Sequence, residues 1–156
     1  MFRIGKLTDY ATVILATLAN DRTRLLNAST LAERTHIAAP TVAKLLKQLQ
    51  RAGLVDSTRG TRGGYQLSRS PDAISAAAIL GALEGPIALT ECSAGTGNCC
   101  LEHNCGVSRT WQRLNAAIRR SLSEISLAQL AGLDARTPVM PIERELKQFA
   151  RPKIPA

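Results

Sequence analysis

The sequence predicts a mainly α-helical fold with one small β-hairpin, and three observations lead to this prediction. Apolar residues recur at helical spacing along most of the 156-residue chain. One short segment instead places two short strands on either side of a glycine-rich turn. With 45% apolar residues the chain can bury a core, and its length fits one domain of ~100 to 150 residues or a small domain with an appendage, which excludes a large enzyme fold.

The first two predicted helices are short and amphipathic. The first runs from Thr8, its predicted N-cap, to Ala19. Its apolar side chains at helical spacing are Tyr10, Val13, Ile14 and Leu18. The second spans residues 29–35, where Thr30 and Glu33 have the spacing of a capping box and Leu31 forms the core side. Both helices therefore present one apolar side to a common core.

A third predicted helix begins near Pro40, whose fixed φ and missing N–H suit a first helical turn, and runs to Ala52, with Gly53 as its stop. Its predicted buried stripe, at i, i+3, i+4 and i+7, consists of Val42, Leu45, Leu46 and Leu49. The opposite face carries polar and basic side chains, which are Thr41, Lys44, Lys47, Gln48 and Arg51. Two short helices joined by a tight turn, the second basic on its exposed face, are typical of a helix-turn-helix.

A β-hairpin is predicted directly after the third helix. Leu54 and Val55 form one strand, residues 65–67 form the other, and the loop of residues 56–64 carries the run Arg-Gly-Thr-Arg-Gly-Gly. Glycines let a backbone approach a phosphate closely, and Arg59 and Arg62 can pair with phosphates or lie in a minor groove. Helices followed directly by a basic hairpin predict a winged helix-turn-helix.

The second half of the chain predicts a connector helix, a cysteine-rich loop and a long helix. Ser75 caps the connector helix, and the loop covers residues 90–107. The helix from Ser108 to Glu124 carries a stripe close to a heptad seam, formed by Trp111, Leu114, Ile118, Leu122 and Ile125. A further short helix is capped by Ser126. A seam this apolar, on a long helix in so small a chain, indicates a partner.

The chain divides into three predicted units. Residues 1–75 form the winged helix-turn-helix, and residues 76–133 hold the connector helix, the cysteine loop and the long helix. Residues 134–156, which contain four prolines, are predicted as a largely disordered tail.

The positive charge is concentrated in the first unit. Residues 1–75 hold 11 Lys and Arg against 5 Asp and Glu, a net of +6 out of a total of +8, whereas residues 76–108 hold three glutamates and no basic residue. One Trp, two Tyr and two Phe leave few rings for stacking on single strands, so the predicted partner is double-stranded DNA. We expect Thr41 and Lys44 to meet base edges or flanking phosphates in the major groove. The residues predicted to hold the DNA backbone are Lys47, Gln48, Arg59 and Arg62.

The longest apolar stretch, residues 73–83, spans 11 residues and is well short of the ~20 residues that cross a bilayer. The N-terminal residues lack the uninterrupted apolar region of a signal peptide. We therefore expect a cytoplasmic protein without a membrane partner.

All four cysteines lie within 14 consecutive residues, which in a reducing compartment indicates metal or redox chemistry rather than a disulfide framework. The spacing Cys92-x6-Cys99-Cys100-x4-Cys105 lacks the C-x2-4-C hooks of a structural zinc site, although Cys100 and His103 keep zinc as an alternative. Ligands spread over a Gly/Ser/Asn loop favour an iron-sulfur cluster, 2Fe-2S or 4Fe-4S, held by thiolates. An enzyme is not expected, because two histidines give no catalytic constellation.

Three motifs resemble those of one family of bacterial regulators. They are the run KLTDYA of residues 6–11, the run RGTRGGYQL of residues 59–67, and the cysteine loop followed by Trp111. Over residues 1–133 the chain is similar to the IscR/NsrR-type (Rrf) family of winged-helix iron-sulfur transcriptional regulators, and within it most resembles the regulators of the SUF iron-sulfur assembly operon. The resemblance implies a homodimer through the helix starting near Ser108. It also implies a cluster that alters DNA affinity and represses assembly genes when bound.

The resemblance further implies the ligands of the cluster. The cysteines that match the family pattern are Cys92, Cys99 and Cys105. Cys100 has no equivalent and is expected to be a bystander, and Ser108 stands where IscR-like members have a histidine ligand. NsrR-like members instead use an aspartate from the first helix of the partner subunit, and Asp9 stands in the matching place.

Asp9 is therefore the predicted fourth ligand, with His103 and Glu102 as alternatives. A ligand in trans would join the loop of one subunit to the DNA-binding head of the other, so that loss of the cluster releases the head. Ala43 stands where IscR has a glutamate that tunes promoter choice, so this selectivity is not expected here. An alternative keeps the DNA binding and takes cysteine oxidation or nitric oxide as the signal.

Overall fold

A computed structural model of the chain describes residues 4–60, 62–94, 99 and 105–134. The helices are α1 (Lys6–Asn20), α2 (Ala28–Thr35), α3 (Ala39–Arg51), α4 (Ala76–Glu84), α5 (Glu91–Ala94), α6 (Ser108–Glu124) and α7 (Leu127–Leu130). Two strands, β1 (Val55–Thr58) and β2 (Gly64–Leu67), form the sheet. The prediction of a mainly α fold with a small β-wing is confirmed. Within the described ranges, no helix combines the length and the apolar character needed to cross a membrane.

One hydrophobic core holds the first three helices together. The stripe predicted on α3 lies at its centre, and its members, all 0% exposed, are Val42, Leu45, Leu46 and Leu49. From α1 the predicted Ile14 and Leu18 are buried, and α2 contributes Leu31, as predicted. Each fully buried aliphatic side chain contributes about 1.5–3 kcal/mol to folding. This burial fixes which face of α3 points away from the protein.

Two expectations for α1 are wrong. The helix begins at Lys6 with Gly5 as its N-cap, and Thr8 lies inside the first turn, 2% exposed. The cause is Glu84 of α4, whose carboxylate accepts hydrogen bonds from the Gly5 N–H at 3.2 Å and from the Thr8 hydroxyl at 2.5 Å. A carboxylate from another helix therefore satisfies donors at this helix start, so Thr8 does not serve as the cap. Val13, expected in the core, is 42% exposed.

The N-cap of α2 also differs from the expectation. Asn27 caps the helix, and its Oδ1 accepts the Thr30 N–H at 2.8 Å, in place of the expected Thr30 and Glu33 capping box. His36 ends the helix in a left-handed conformation with φ of 55° and forms the turn toward α3. Pro40 lies in the first turn of α3, as predicted.

The wing is an antiparallel pair in which Val55 lies opposite Leu67 and Ser57 opposite Tyr65. Leu26, from the segment before α2, extends the pairing through backbone hydrogen bonds of 3.1 and 2.8 Å with Tyr65. The predicted loop of residues 56–64 is too long, because residues 56–58 continue β1 and the next strand begins at residue 64. Cross-strand pairing reaches further toward the tip than the polar sequence suggests.

The second half of the chain follows the predicted order. Ser75 caps α4 by accepting the Ala78 N–H at 3.2 Å, and α6 has the predicted bounds. α5 is an additional short helix inside the stretch predicted as a loop. Ser126 caps α7, which returns to the head: Leu127 is 0% exposed, and its N–H donates to the Ile74 carbonyl at 2.7 Å. Residues 135–156, most of the predicted tail, lie outside the described residues.

Candidate functional site

The outward face of α3 carries two of the predicted DNA contacts exposed, Lys44 and Lys47, and Thr41 half-buried in its first turn. Gln48 differs, because its amide oxygen is buried and lacks a hydrogen-bond partner in the described part of the chain. Its amide nitrogen is therefore the group that can donate to a phosphate. Since the apolar stripe of α3 lies in the core, the helix keeps this basic face toward solvent.

The wing tip projects two arginines from a tight turn. Arg59 and Arg62 are both exposed, and the Gly63 N–H donates to the Gly60 carbonyl at 2.9 Å across the turn. Gly60 has a φ of 111°, and a Cβ at Gly63 would collide with the Thr58 carbonyl oxygen. These two glycines are thus required by the turn itself. The turn holds the arginines at the end of the hairpin.

Two side-chain hydrogen bonds join the wing to the end of α3. Gln50 donates to the Ser57 hydroxyl at 2.7 Å, and Ser68 donates to the Gly53 carbonyl at 2.6 Å. The sequence pattern carries no signal for either bond, because each joins an ordinary polar residue to one that follows or precedes it by several positions. Among the described residues, no ion pair occupies the four predicted cations Lys44, Lys47, Arg59 and Arg62. Helix and wing therefore form one fixed surface with free positive charge.

The long helix α6 buries small and polar side chains and leaves its apolar stripe only partly covered. Its buried residues are Ser108, Asn115, Ala117 and Ser121. The predicted seam runs between these buried positions, with Trp111 41% exposed and four aliphatic residues half-buried, namely Leu114, Ile118, Leu122 and Ile125. Small and polar side chains let α6 pack closely on α4 and on the segment before α5. Among the described residues, the apolar stripe has no complete cover.

A groove of about 1260 Å³ continues from this stripe. Its apolar wall is formed by residues of several elements, which are Ile4, Ile79, Leu80, Leu122, Ile125 and Leu130. Asp9, an exposed residue in the first turn of α1, lines the same groove. Leu122 and Ile125 belong both to the groove and to the seam, so the two form one continuous apolar surface. The groove could not be anticipated from spacing, because its walls come from separate parts of the chain.

The polar face of α6 anchors the segment that leads to Cys92. Asn115, which is 4% exposed, accepts the Leu89 N–H at 3.1 Å and donates to the Ile87 carbonyl at 3.2 Å. Gln112 donates to the Cys92 carbonyl at 3.2 Å. Neither residue was among the predicted site residues, although their spacing of three along a helix places them on one face. The backbone of the first cysteine is therefore fixed.

Hydroxyl groups surround the Cys92 sulfur. The Thr90 Oγ1 lies 3.1 Å from the sulfur and 2.8 Å from the Ser93 Oγ. The hydrogen bond with Thr90 lowers the pKa of the Cys92 thiol below its ordinary value, against the opposing effect of partial burial, and Ser108 and Ser93 act in the same direction as Thr90. A thiolate, the form that binds metals and reacts with electrophiles, is thereby favoured at this position.

The remaining cysteines are described only in part. Cys99 and Cys105 are free and half-buried, like Cys92. Ser108 connects the first and last of these, because its N–H donates to the Cys105 carbonyl at 3.4 Å and its hydroxyl acts on the Cys92 sulfur. Within the described ranges, no three His, Cys, Asp or Glu side chains come together as a metal-binding group. Three further candidates lie outside the described residues, namely Cys100, Glu102 and His103.

Comparisons with known proteins agree with this architecture. The family described as Rrf2, iron-dependent transcriptional regulator, matches residues 4–132. A protein of Haemophilus influenzae, named as a candidate HTH-type transcriptional regulator, is 37% identical over 100 residues. The matched part is 64% of this chain and 66% of that protein, so the chain spans just under two thirds of the length of this relative.

Two solved structures share the fold. The structure of CymR of B. subtilis, titled the global cysteine regulator, has a TM-score of 0.69 and 30% identity and covers 86% of this chain and 99% of its own. The structure of IscR of T. potens has a TM-score of 0.64 and 25% identity and covers 87% of this chain and 92% of its own. The winged-helix prediction is confirmed by these likenesses.

Proposed function

The chain belongs to the Rrf2 family of transcriptional regulators, and from this premise we propose that it is a cytoplasmic homodimer that binds promoter DNA and senses iron-sulfur status. The proposed cofactor is a 2Fe-2S or 4Fe-4S cluster on Cys92, Cys99 and Cys105. We further propose that the cluster-bound form represses iron-sulfur assembly (SUF) genes. The family consists of regulators, and no enzymatic activity is assigned.

The fixed basic surface of α3 and the wing carries the proposal of DNA binding. An α-helix fits the major groove of B-form DNA, where Thr41 and Lys44 in the first half of α3 would meet base edges or flanking phosphates. Lys47 and Gln48 would hold the backbone, as would the two wing arginines, which can also enter the adjacent minor groove. Hydrogen bonds between wing and helix keep both elements in register for one duplex.

The exposed stripe of α6 supports the homodimer. An apolar stripe along a 17-residue helix, continued by the groove, needs an apolar cover, and a second copy supplies the same stripe. A two-fold axis would place the seam of one copy against the seam and groove of the other. The partner would then lie beside Asp9, which lines the groove.

The cysteine site fits an iron-sulfur cluster in its donor chemistry. Three free thiols are present, the backbone of Cys92 is fixed, and Ser108 connects Cys92 with Cys105. The position of Asp9 in the partner-facing groove supports its proposed role as the fourth ligand in trans. With Asp9 as the fourth ligand, the three cysteines of one subunit and the aspartate of the other would hold the cluster together, and the contact between the subunits would then depend on iron and sulfide. Asp9 lies in the first turn of α1, so this link would bias the orientation of the head.

Anaerobic purification of the full chain tests the cofactor. We expect a brown protein with visible absorbance, stoichiometric iron and an electron paramagnetic resonance signal on reduction or oxidation. Asp9→Ala should make the cluster labile while the three cysteines retain part of the iron, and Asp56→Ala, an exposed carboxylate on β1, serves as the matched control. An unchanged spectrum and lifetime in Asp9→Ala would assign the fourth ligand to Glu102 or His103.

A thiol sensor is the second candidate. The similarity to CymR, titled a global cysteine regulator, favours it, and so does the thiolate character of Cys92. A colourless, iron-free protein from intact cells, with peroxide- or nitric oxide-dependent DNA affinity, would support this alternative. Stoichiometric zinc in place of iron would instead identify the zinc alternative.

A further inference from the structure

We propose that Thr90 is a positioning residue for the ligand Cys92, and that its hydroxyl donates a hydrogen bond to the ligating sulfur and tunes the bound cluster. The inference rests on the proposed iron-sulfur function. It concerns the orientation of the Cys92 sulfur toward the iron, and it applies to a 2Fe-2S as well as to a 4Fe-4S cluster.

Hydrogen bonds from α6 hold the backbone on both sides of Thr90. Asn115 holds the chain at Ile87 and Leu89 through both atoms of its amide, and Gln112 holds the Cys92 carbonyl. Thr90 lies between these anchor points. With the backbone fixed on both sides, the side chains of Thr90 and Cys92 meet without a loop rearrangement, at 3.1 Å.

The direction of the hydrogen bonds follows from counting protons. A ligating cysteine is a thiolate and carries no proton, so the Thr90 hydroxyl must be the donor to sulfur. That hydroxyl has one proton, and its oxygen must then accept from Ser93, whose Oγ lies 2.8 Å away. The result is a chain from Ser93 to Thr90 to the sulfur, in which each hydrogen bond polarises the next.

This chain predicts two effects on a bound cluster. A hydrogen bond to a ligating sulfur withdraws electron density from it and stabilises the reduced, more negative form, which raises the reduction potential. A partner that orients a ligand also strengthens metal binding, and its loss typically costs about 10-fold or more in affinity. Thr90 should therefore affect both the potential and the retention of iron.

The matched pair Thr90→Val and Thr90→Ser separates the hydroxyl from the shape of the side chain. The full chain is purified anaerobically, and each variant is compared with wild type in a spectroelectrochemical titration and in iron release to a ferrous chelator. We expect Thr90→Val to have a more negative midpoint potential and about 10-fold faster iron release. Thr90→Ser, which retains the hydroxyl, should resemble wild type, and Ser93→Ala should shift both values in the same direction by less.

The outcomes distinguish this inference from the function on which it rests. Iron in all proteins, with the same potential and release rate in Thr90→Val as in wild type, would overturn the role of Thr90 and leave the cluster intact. A wild-type chain without iron would overturn the proposed cofactor, and the role of Thr90 with it. Thermal melts establish folding, and if Thr90→Val does not fold, Ser93→Ala carries the test.

Discussion

The helices α3 and α6 are both amphipathic, and they differ in how far their apolar stripes are covered. α3 buries its four aliphatic side chains completely and exposes basic ones, whereas α6 buries two serines, an alanine and an asparagine and leaves its apolar stripe partly exposed. A basic outward face attracts a polyanion, and an apolar outward face attracts another apolar surface. The contrast supports the proposed duplex binding by α3 and the proposed self-association through α6.

The largest expected effect is a loss of stability when a buried side chain of α3 is shortened. Leu46→Ala should lower the free energy of unfolding by about 2–5 kcal/mol, because Leu46 is 0% exposed and its loss leaves a cavity. Urea unfolding followed by circular dichroism measures the change. The neighbouring exposed Lys47→Ala should stay within about 0.5 kcal/mol of wild type. Equal losses in the two variants would contradict the assignment of faces.

The second largest effect is expected on the dimer dissociation constant, from the partly exposed apolar stripe of α6. Trp111→Ala should raise the dimer dissociation constant about 30-fold, corresponding to the ~2 kcal/mol of an aromatic anchor at an interface. Analytical ultracentrifugation over a range of concentrations measures it, with Arg119→Ala as the exposed control on the same helix. A dissociation constant that is insensitive to Trp111, or a wild-type monomer at every concentration, would remove the proposed role of this stripe.

The affinity of the basic surface for DNA should fall as the salt concentration rises. Replacing Arg59 and Arg62 by alanine should weaken binding to a promoter fragment and reduce the slope of log affinity against log salt by ~0.9 for each phosphate that is no longer neutralised. Fluorescence anisotropy at several salt concentrations gives the slope. Arg109→Ala, which removes a positive charge from α6, is the control and should leave the slope unchanged. An affinity that does not depend on salt would argue against DNA binding by this surface.

The smallest expected effect concerns the buried polar face of α6. In a variant that keeps Cys92 and replaces the other three cysteines by alanine, the pH midpoint of iodoacetamide alkylation should lie below that of an unperturbed cysteine thiol, because hydrogen bonding lowers the pKa of Cys92. The sign follows because the thiolate reacts and the pKa of Cys92 is lowered. Ser108→Ala should move the midpoint upward, whereas Ser123→Ala on the exposed side of α6 should not. No difference between the two would remove the contribution of Ser108.

Patterns within a short stretch of sequence correctly predicted the buried stripe of α3 and the caps of two helices. The stripe of α3 is buried as its spacing indicated, and Ser75 and Ser126 cap their helices, because each pattern involves residues within about one or two helical turns. The order of helices and wing was predictable for the same reason.

Features that join distant residues could not be predicted. Thr8 has the sequence form of an N-cap, and only Glu84, 76 residues away, gives its hydroxyl another acceptor. The hydrogen bond between the Leu89 N–H and the Asn115 side chain likewise joins residues that are 26 positions apart in the sequence. The predicted cluster ligands remain a prediction, because a ligand supplied by another subunit leaves no trace in the spacing of a single chain.

The packing of α7 against the winged helix makes the folding of the DNA-binding part depend on residues that follow α6. The hydrophobic core that contains the buried stripe of α3 also contains Leu127, which is translated after α6. A nascent chain that stops before this point lacks one of the fully buried side chains of that core. Such a fragment should be a substrate for proteases rather than a monomeric competitor for operators.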